Sequence, residues 1–268
     1  MDQTLPGLPP QHPLFLALNF SLIEQRETLA AIWQLTHELT ALGRIAEPQV
    51  ATVKVPWWRE ELDRWEQNEA RHPATRRLHH LAQREPVVSA VRQLFLANLK
   101  QLTSPRYGDE SEFWQRCENH GMGLGVVAAY LGPERPAVVS GYAAASSGIF
   151  AIECLLNAAA DARADRILLP LDTIAAAGLD TQKLAAPSPE TGFVKIRQSL
   201  AADARQRLRE GVREIRTVPS LSEHRYVLVL ASLYDACADA LGSPRATVTW
   251  PAPLRQLWTA WQTARLAR

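Results

Sequence analysis

Asp161, Arg163, Asp165 and Arg166 place two acidic and two basic residues within six positions of the chain. Magnesium takes oxygen ligands, usually a few carboxylates together with substrate phosphates, so a magnesium site needs acidic residues at helical spacing on facing helices. A helix that ends in mixed charge is the structural alternative. The residues alone leave both interpretations open.

Three glycines at positions 121, 123 and 125 have the spacing of a phosphate-binding loop. Such a loop requires a preceding strand and a helix start, whereas these glycines lie within an alanine-rich helical run. We therefore predict that they allow close helix packing or a kink. His120 has no carboxylate or nucleophile at a diagnostic spacing, and we interpret it as a pocket or core histidine.

Trp57 and Trp58 stand in the segment VPWWREEL, which spans Val55–Leu62 and is followed by His72-Pro73. Adjacent residues on a helix point about 100° apart. At most one of the two rings can therefore face a central cavity, and packing is the favoured role for this pair.

The composition indicates a globular cytoplasmic protein. Hydrophobic residues make up 47% of the chain and charged residues 21%, which supports a real core and argues against disorder. The net charge of +1 gives no electrostatic footprint for a nucleic acid. Cys117, Cys154 and Cys237 are odd in number and far apart, as expected of reduced core thiols. Peripheral attachment to a membrane is left open.

We predict one domain, residues 13–268, preceded by a flexible arm, residues 1–12. The arm is proline-rich and lacks the basic start and apolar centre of a signal peptide. The uncharged stretch Ala137–Ala151, rich in Ala, Ser and Gly, falls short of the roughly 20 apolar residues that a bilayer span needs. We expect no transmembrane segment and interpret this stretch as a buried helix.

Apolar spacing and helix-start signals predict an all-α fold. Ser21 and Glu24 form a capping box ahead of a helix over 22–42, and Pro48 opens a helix that runs to about 67, with a kink at Pro56. No region alternates at the strand period. Further helices are predicted over 73–83, 85–102, 110–131, 136–162, 171–177, 190–216, 222–241 and 253–267.

Five segments, in order, resemble the squalene/phytoene synthase family. The most specific is the WWREEL helix with the following His-Pro, and the others are residues 20–33, 114–121, 166–172 and 253–261. The resemblance implies the isoprenoid synthase fold, a single-domain helical bundle around a central cavity. It also implies a head-to-head type of prenyl transfer chemistry.

In this family two aspartate-rich motifs hold Mg²⁺ ions that neutralise a diphosphate leaving group. Residues 36–44, at the first motif, keep only Glu38, and the second motif keeps one acid, Asp161. The resemblance implies no catalytic residue here, and only Asp161 and Glu38 as candidate metal ligands. The residues that it implies for substrate binding are Arg26, Asn157, Asp161 and Arg166.

We therefore predict a catalytically inactive or altered family member that binds a prenyl or lipid ligand or acts as an assembly factor. Degenerate relatives include an assembly factor of mitochondrial respiratory complex I, so a protein partner is left open. No cofactor is expected in that case. The first alternative is an active Mg²⁺-dependent prenyltransferase that converts prenyl diphosphates towards squalene or phytoene, with Asp161, Glu38 and Glu153 as a reduced metal set. The second is a helical interaction module with a closed cavity.

Overall fold

The computed structural model describes residues 12–104, 106–120, 122–131, 136–185, 191–241 and 252–267. These residues form a helical bundle, which confirms the all-α prediction. The helices are α1 (Pro13–Phe20), α2 (Arg26–Leu42), α3 (Pro48–Glu66), α4 (Pro73–Arg77), α5 (Glu85–Thr103), α6 (Glu110–His120), α7 (Met122–Leu131), α8 (Pro136–Arg163), α9 (Leu171–Ala176), α10 (Thr191–Ile215), α11 (Arg225–Leu241) and α12 (Pro253–Leu266).

Helix α1 is missing from the sequence-based assignment. Pro13 stands at its first turn, and His12 caps it by accepting a hydrogen bond from the N–H of Leu14 at 3.3 Å. His12 therefore belongs to the folded part of the chain, and the rest of the predicted arm, residues 1–11, lies outside the described residues.

The predicted capping box at Ser21 is wrong. The Ser21 hydroxyl donates to the carbonyl of Leu18 at 2.7 Å, so it closes α1. A short 3-10 turn, Ile23–Gln25, then leads into α2 without a side-chain cap. The Ser21 hydroxyl therefore bonds to the end of the preceding helix instead of capping the start of the next one.

Two other assignments differ from the structure. The helix predicted over 73–83 is α4 followed by a 3-10 turn at His79–Leu81, where the indole of Trp65 donates to the carbonyl of Leu78 at 3.1 Å. The Leu78 carbonyl, where the α-helix has ended, thus accepts a hydrogen bond from a side chain on α3. The helix predicted over 110–131 comprises α6 and α7, on either side of residue 121, which lies outside the described residues.

A short parallel strand pair was also not predicted. Strand β1 (Arg106–Tyr107) pairs with β2 (Ile167–Pro170), and all four residues of β2 are buried. A fully buried run of four residues shows no alternation, so periodicity cannot distinguish it from a helical segment.

Helix α8 is the central element of the bundle and packs against α6, α7, α10 and α11. Its residues 138–163 are long and apolar enough to cross a membrane by length and composition, but 72% of the apolar window is buried inside the protein. This confirms the prediction of a buried helix. The three cysteines are free and buried, as predicted.

Helices α8 and α10 approach closely at Gly141 and Gly211. A Cβ atom added at Gly211 would collide with the carbonyl of Gly141 and would lie 2.5 Å from the backbone nitrogen of Ala145. We expect Gly211→Ala to lower the free energy of unfolding by about 1–3 kcal/mol, because the backbones must separate. Urea unfolding measures this loss.

Gly108→Ala is the matched control, since its Cβ would meet only the Glu112 carboxylate, at 3.4 Å. We expect it to leave the unfolding midpoint nearly unchanged. Equal midpoints for the two variants would contradict the close approach of α8 and α10.

Candidate functional site

A cavity of about 180 Å³ lies among α2, α7, α8 and α11, and the start of α1 closes one side. Part of its wall is apolar, and several hydroxyl, imidazole and carboxyl groups interrupt that wall. The lining residues are His12, Leu14, Ile32, Trp33, Thr36, His37, Thr40, Gly123, Val127, Ser146, Ile149, Phe150, Glu153, Tyr226, Leu230 and Tyr234.

Glu153 is the carboxyl group of this cavity. It lies in the middle of α8, and the hydroxyl of Tyr234 on α11 donates to its Oε1 at 2.5 Å. Burial raises the pKa of Glu153, and the hydrogen bond from Tyr234 and the nearby Arg44 oppose this shift only in part. Burial also raises the pKa of Tyr234 well above its ordinary value. Burial therefore disfavours the charged form of both groups.

Two histidines face the same cavity. Burial, with a contribution from His37, lowers the pKa of His12 to about 4. The pKa of His37 is also lowered, mainly by burial, with Glu38 opposing the shift and Arg44 adding to it. The ring of His37 stacks on Trp33 with 4.8 Å between centroids. His12 is therefore neutral at pH 7, and no lysine or arginine stands among the described residues that line the cavity.

Asp161, two turns beyond Glu153 on α8, is buried between two guanidinium groups. Arg166 donates to its Oδ1 from Nε at 3.2 Å and from Nη2 at 2.9 Å. Nη2 of Arg44, which follows the end of α2, lies 4.0 Å from its Oδ2. Arg166 therefore makes the charge-assisted hydrogen bonds to this carboxylate, whereas Oδ2 is buried without a hydrogen bond among the described residues and has only the longer ion pair with Arg44.

The structure separates the other residues that the resemblance implied. Arg26 donates to the carbonyls of Asn19, at 2.5 Å, and Ser21, at 3.3 Å. Asn157 is exposed and donates to the carbonyl of Glu153 at 2.9 Å. Neither Arg26, Asn157, Asp161 nor Arg166 lines the cavity, and only Asp161 and Arg166 are brought together. Their role in substrate binding remains a prediction.

The acidic residues near the cavity do not fit a magnesium cluster. Glu38 pairs with Nε2 of His72 at 3.1 Å, Asp161 is held by two arginines, and Glu153 is bonded to Tyr234. Within the described ranges, no group of three or more His, Cys, Asp or Glu residues is placed to hold a metal ion. Magnesium is usually bound through one or two carboxylates together with waters and substrate phosphates, and each of these three acids already has a partner within the protein.

The WWREEL segment has a structural role. Trp58 is buried and its ring lies 4.9 Å from that of His72, whereas Trp57 is 39% exposed and neither ring lines the cavity. Glu61 accepts hydrogen bonds from the backbone N–H groups of Arg71 and His72, each at 2.8 Å, and from the Thr75 hydroxyl at 2.5 Å. This confirms the packing role and explains why the segment and the His-Pro pair occur together.

Sequence reasoning missed the parts of His12, His37, Tyr226 and Tyr234 in the cavity wall. It named Glu153 only as an additional metal ligand. A usable signal was present, because Glu153 stands alone in an apolar stretch of a buried helix, and a buried acid is a candidate for a shifted pKa. The side chain of His120 lies outside the described part of the structure.

Comparisons with known proteins agree with this architecture. The family model for squalene/phytoene synthase matches residues 11–262. A dehydrosqualene synthase in complex with a ligand is 13% identical with a TM-score of 0.78, covering 95% of this chain and 90% of that one. Squalene synthase HpnC from Alicyclobacillus acidocaldarius is 16% identical with a TM-score of 0.67, covering 94% and 88%.

Among curated proteins, no match to this chain was found. The two solved structures establish the isoprenoid synthase fold, and the family model extends over most of the sequence. The chain therefore belongs to the squalene/phytoene synthase family.

Proposed function

We propose that this protein binds one uncharged isoprenoid or lipid chain in its cavity and does not ionise prenyl diphosphates. The observation that carries the proposal is the state of Asp161, which is paired with Arg44 and Arg166. In the family's chemistry this position serves magnesium. Here the guanidinium of Arg166 is bonded to Oδ1 of the carboxylate, and that of Arg44 lies 4.0 Å from Oδ2.

The electrostatics of the cavity support a neutral ligand. Its carboxyl group, Glu153, has a raised pKa and its two histidines have lowered pKa values. A diphosphate buried among these groups would find no cation in the wall, and burying an unpaired charge costs several kcal/mol or more. A hydroxyl group could instead form a hydrogen bond with the Glu153 carboxyl, because the bond from Tyr234 uses only Oε1.

The size of the cavity supports a single chain. Its volume of about 180 Å³ is slightly larger than that of an engineered cavity of about 150 Å³ that holds one benzene. Pockets for drug-sized ligands begin near 300 Å³. A head-to-head synthase must hold two prenyl chains at once, whereas a cavity of this size holds at most one short chain or part of a longer one.

The first test is a diphosphate release assay. We expect no release of pyrophosphate when the purified protein is incubated with farnesyl or geranylgeranyl diphosphate and Mg²⁺, because no free carboxylate cluster activates the leaving group. Release that Asp161→Ala abolishes would overturn the proposal in favour of an active prenyltransferase.

The second test is calorimetric titration with geraniol and farnesol, which carry the same chains with a neutral head group. We expect binding by the wild-type protein and its loss in Val127→Phe, where the larger side chain fills the cavity. Val139→Phe is the matched control, because Val139 is 47% exposed. Absence of wild-type binding, or an equal loss in both variants, would refute a ligand in this cavity.

A further inference from the structure

Helix α12 carries its large apolar side chains on the outside of the protein. Its buried residues are Gln256, Ala260 and Ala264. The exposed fractions are 82% for Leu254, 47% for Leu257, 58% for Trp258 and 41% for Trp261. These four residues follow the spacing i, i+3, i+4, i+7 and share one helix face. We call them the α12 apolar face.

The helix that carries this face is firmly attached to the bundle. It packs against α1 and α11, and Nε of Arg225 at the start of α11 donates to the carbonyl of Ala267 at 3.2 Å. The rings of Trp258 and Trp261 stack with 5.2 Å between centroids. The α12 apolar face is therefore held in place on a packed helix, and its exposure does not come from a frayed end.

The charged side chains on helix α12 itself have one sign. Residues 242–268 contain four arginines, at positions 245, 255, 265 and 268, and no aspartate or glutamate, whereas the rest of the chain has 25 basic and 28 acidic residues. Arg255 and Arg265 are exposed on α12 itself, and the guanidinium of Arg265 lies 5.5 Å from the ring centre of Trp261. A partner for this surface should therefore offer anionic groups to the two arginines and an apolar region to the leucine and tryptophan side chains.

We propose that the α12 apolar face docks on an anionic lipid bilayer, with the helix in the plane of the interface. Tryptophan is favoured at the level of the lipid head groups, and arginines flanking an apolar helix face attract anionic lipids. Helix α1 connects this surface to the cavity, because it packs against α12, and its N-cap His12 and its residue Leu14 line the cavity wall. Docking itself does not depend on what the cavity binds.

Sedimentation of the full chain with vesicles tests this proposal. We expect it to bind phosphatidylglycerol vesicles, to bind phosphatidylcholine vesicles more weakly, and to be released from the former by salt, which screens the arginines. The double change Trp258→Ala with Trp261→Ala should lower the partition coefficient by about tenfold or more, since binding scales with inserted apolar area. Each of Arg255→Gln and Arg265→Gln should lower it by about fivefold on phosphatidylglycerol.

Trp57→Ala is the matched control, because Trp57 is also a partly exposed tryptophan, 39% exposed, on a different helix. It should keep the wild-type partition coefficient, and thermal unfolding should show that all variants are folded. No binding to phosphatidylglycerol vesicles, or the same loss in Trp57→Ala, would overturn the proposal. A third result would also overturn it: no vesicle binding, together with a concentration-dependent dimer in the ultracentrifuge that the Trp258 and Trp261 changes abolish. A second copy of the chain would then cover the α12 apolar face.

Discussion

Glu61→Ala is expected to lower the free energy of unfolding by about 3–5 kcal/mol, as found when one partner of a buried charged network is removed. The Glu61 side chain is completely buried. It accepts hydrogen bonds from Arg71, His72 and Thr75, and from Nε of Arg64 at 3.2 Å. Alanine would remove the acceptor that these four groups share, and a donor that is shielded from water and left without an acceptor costs more than the loss of the bond alone.

The contribution of Glu61 to the free energy of unfolding should decrease as the pH falls. Burial acts to raise the pKa of Glu61, but the hydrogen bonds from Thr75, His72, Arg71 and Arg64 outweigh it and lower the pKa below the ordinary value. Stability from this group is therefore present above the pKa of the unfolded chain and is lost as the pH falls through the lower, folded value. Urea unfolding between pH 3 and 7 should show a smaller acid-induced loss in Glu61→Gln than in the wild type.

Glu60→Ala is the control for Glu61→Ala. The neighbouring Glu60 also pairs with Arg64, at 3.2 Å, but its side chain is 68% exposed. An exposed pair of this kind contributes about 0–1 kcal/mol. Equal losses in the free energy of unfolding for Glu60→Ala and Glu61→Ala would contradict the role of Glu61 as the link between α3 and the His72-Pro73 segment.

The sequence predicted the helices well where local chemistry decides them. Proline stands at the first turn of α3, α4, α5 and α12, and each of these helices begins where its proline indicates. The capping box at Ser21 failed because α1, unrecognised, offered its own carbonyl to the same hydroxyl. A local motif is therefore informative only when its neighbours along the chain are assigned correctly.

The candidate site was predictable only in part, because its contacts join distant parts of the chain. Asp161 and Arg166 are five residues apart, and their proximity could be anticipated. Arg44, however, reaches Asp161 from the end of another helix, and Tyr234 is 81 residues away from Glu153. The resemblance predicted only Glu38 and Asp161 as acids at the metal positions, whereas the guanidinium groups near Asp161 and the acid in the cavity wall required the packed helices.

Glu153→Leu is expected to lower the affinity for farnesol by about tenfold, while Glu153→Gln keeps it within about twofold. A hydrogen bond to a buried carboxyl is worth about 1–1.5 kcal/mol, which corresponds to a tenfold change in dissociation constant. Glutamine keeps a donor and an acceptor at this position, whereas leucine keeps only the volume. Calorimetric titration at pH 6 measures both affinities, and wild-type affinity in Glu153→Leu would mean that the ligand's hydroxyl lies elsewhere.

The pH dependence of stability distinguishes a neutral Glu153 from an ionised one without any ligand. Because burial raises its pKa above the ordinary value, the folded protein holds this proton more tightly than the unfolded chain does. The stability that results is fully present below the unfolded pKa and is lost as the pH rises through the higher, folded value. Glu153→Gln cannot ionise, so between pH 5 and 8 it should lose less stability than the wild type in urea unfolding. Parallel curves for the two proteins would place an ionised carboxylate in the cavity, and a cationic or metal-bound ligand would then fit the site better than a neutral alcohol.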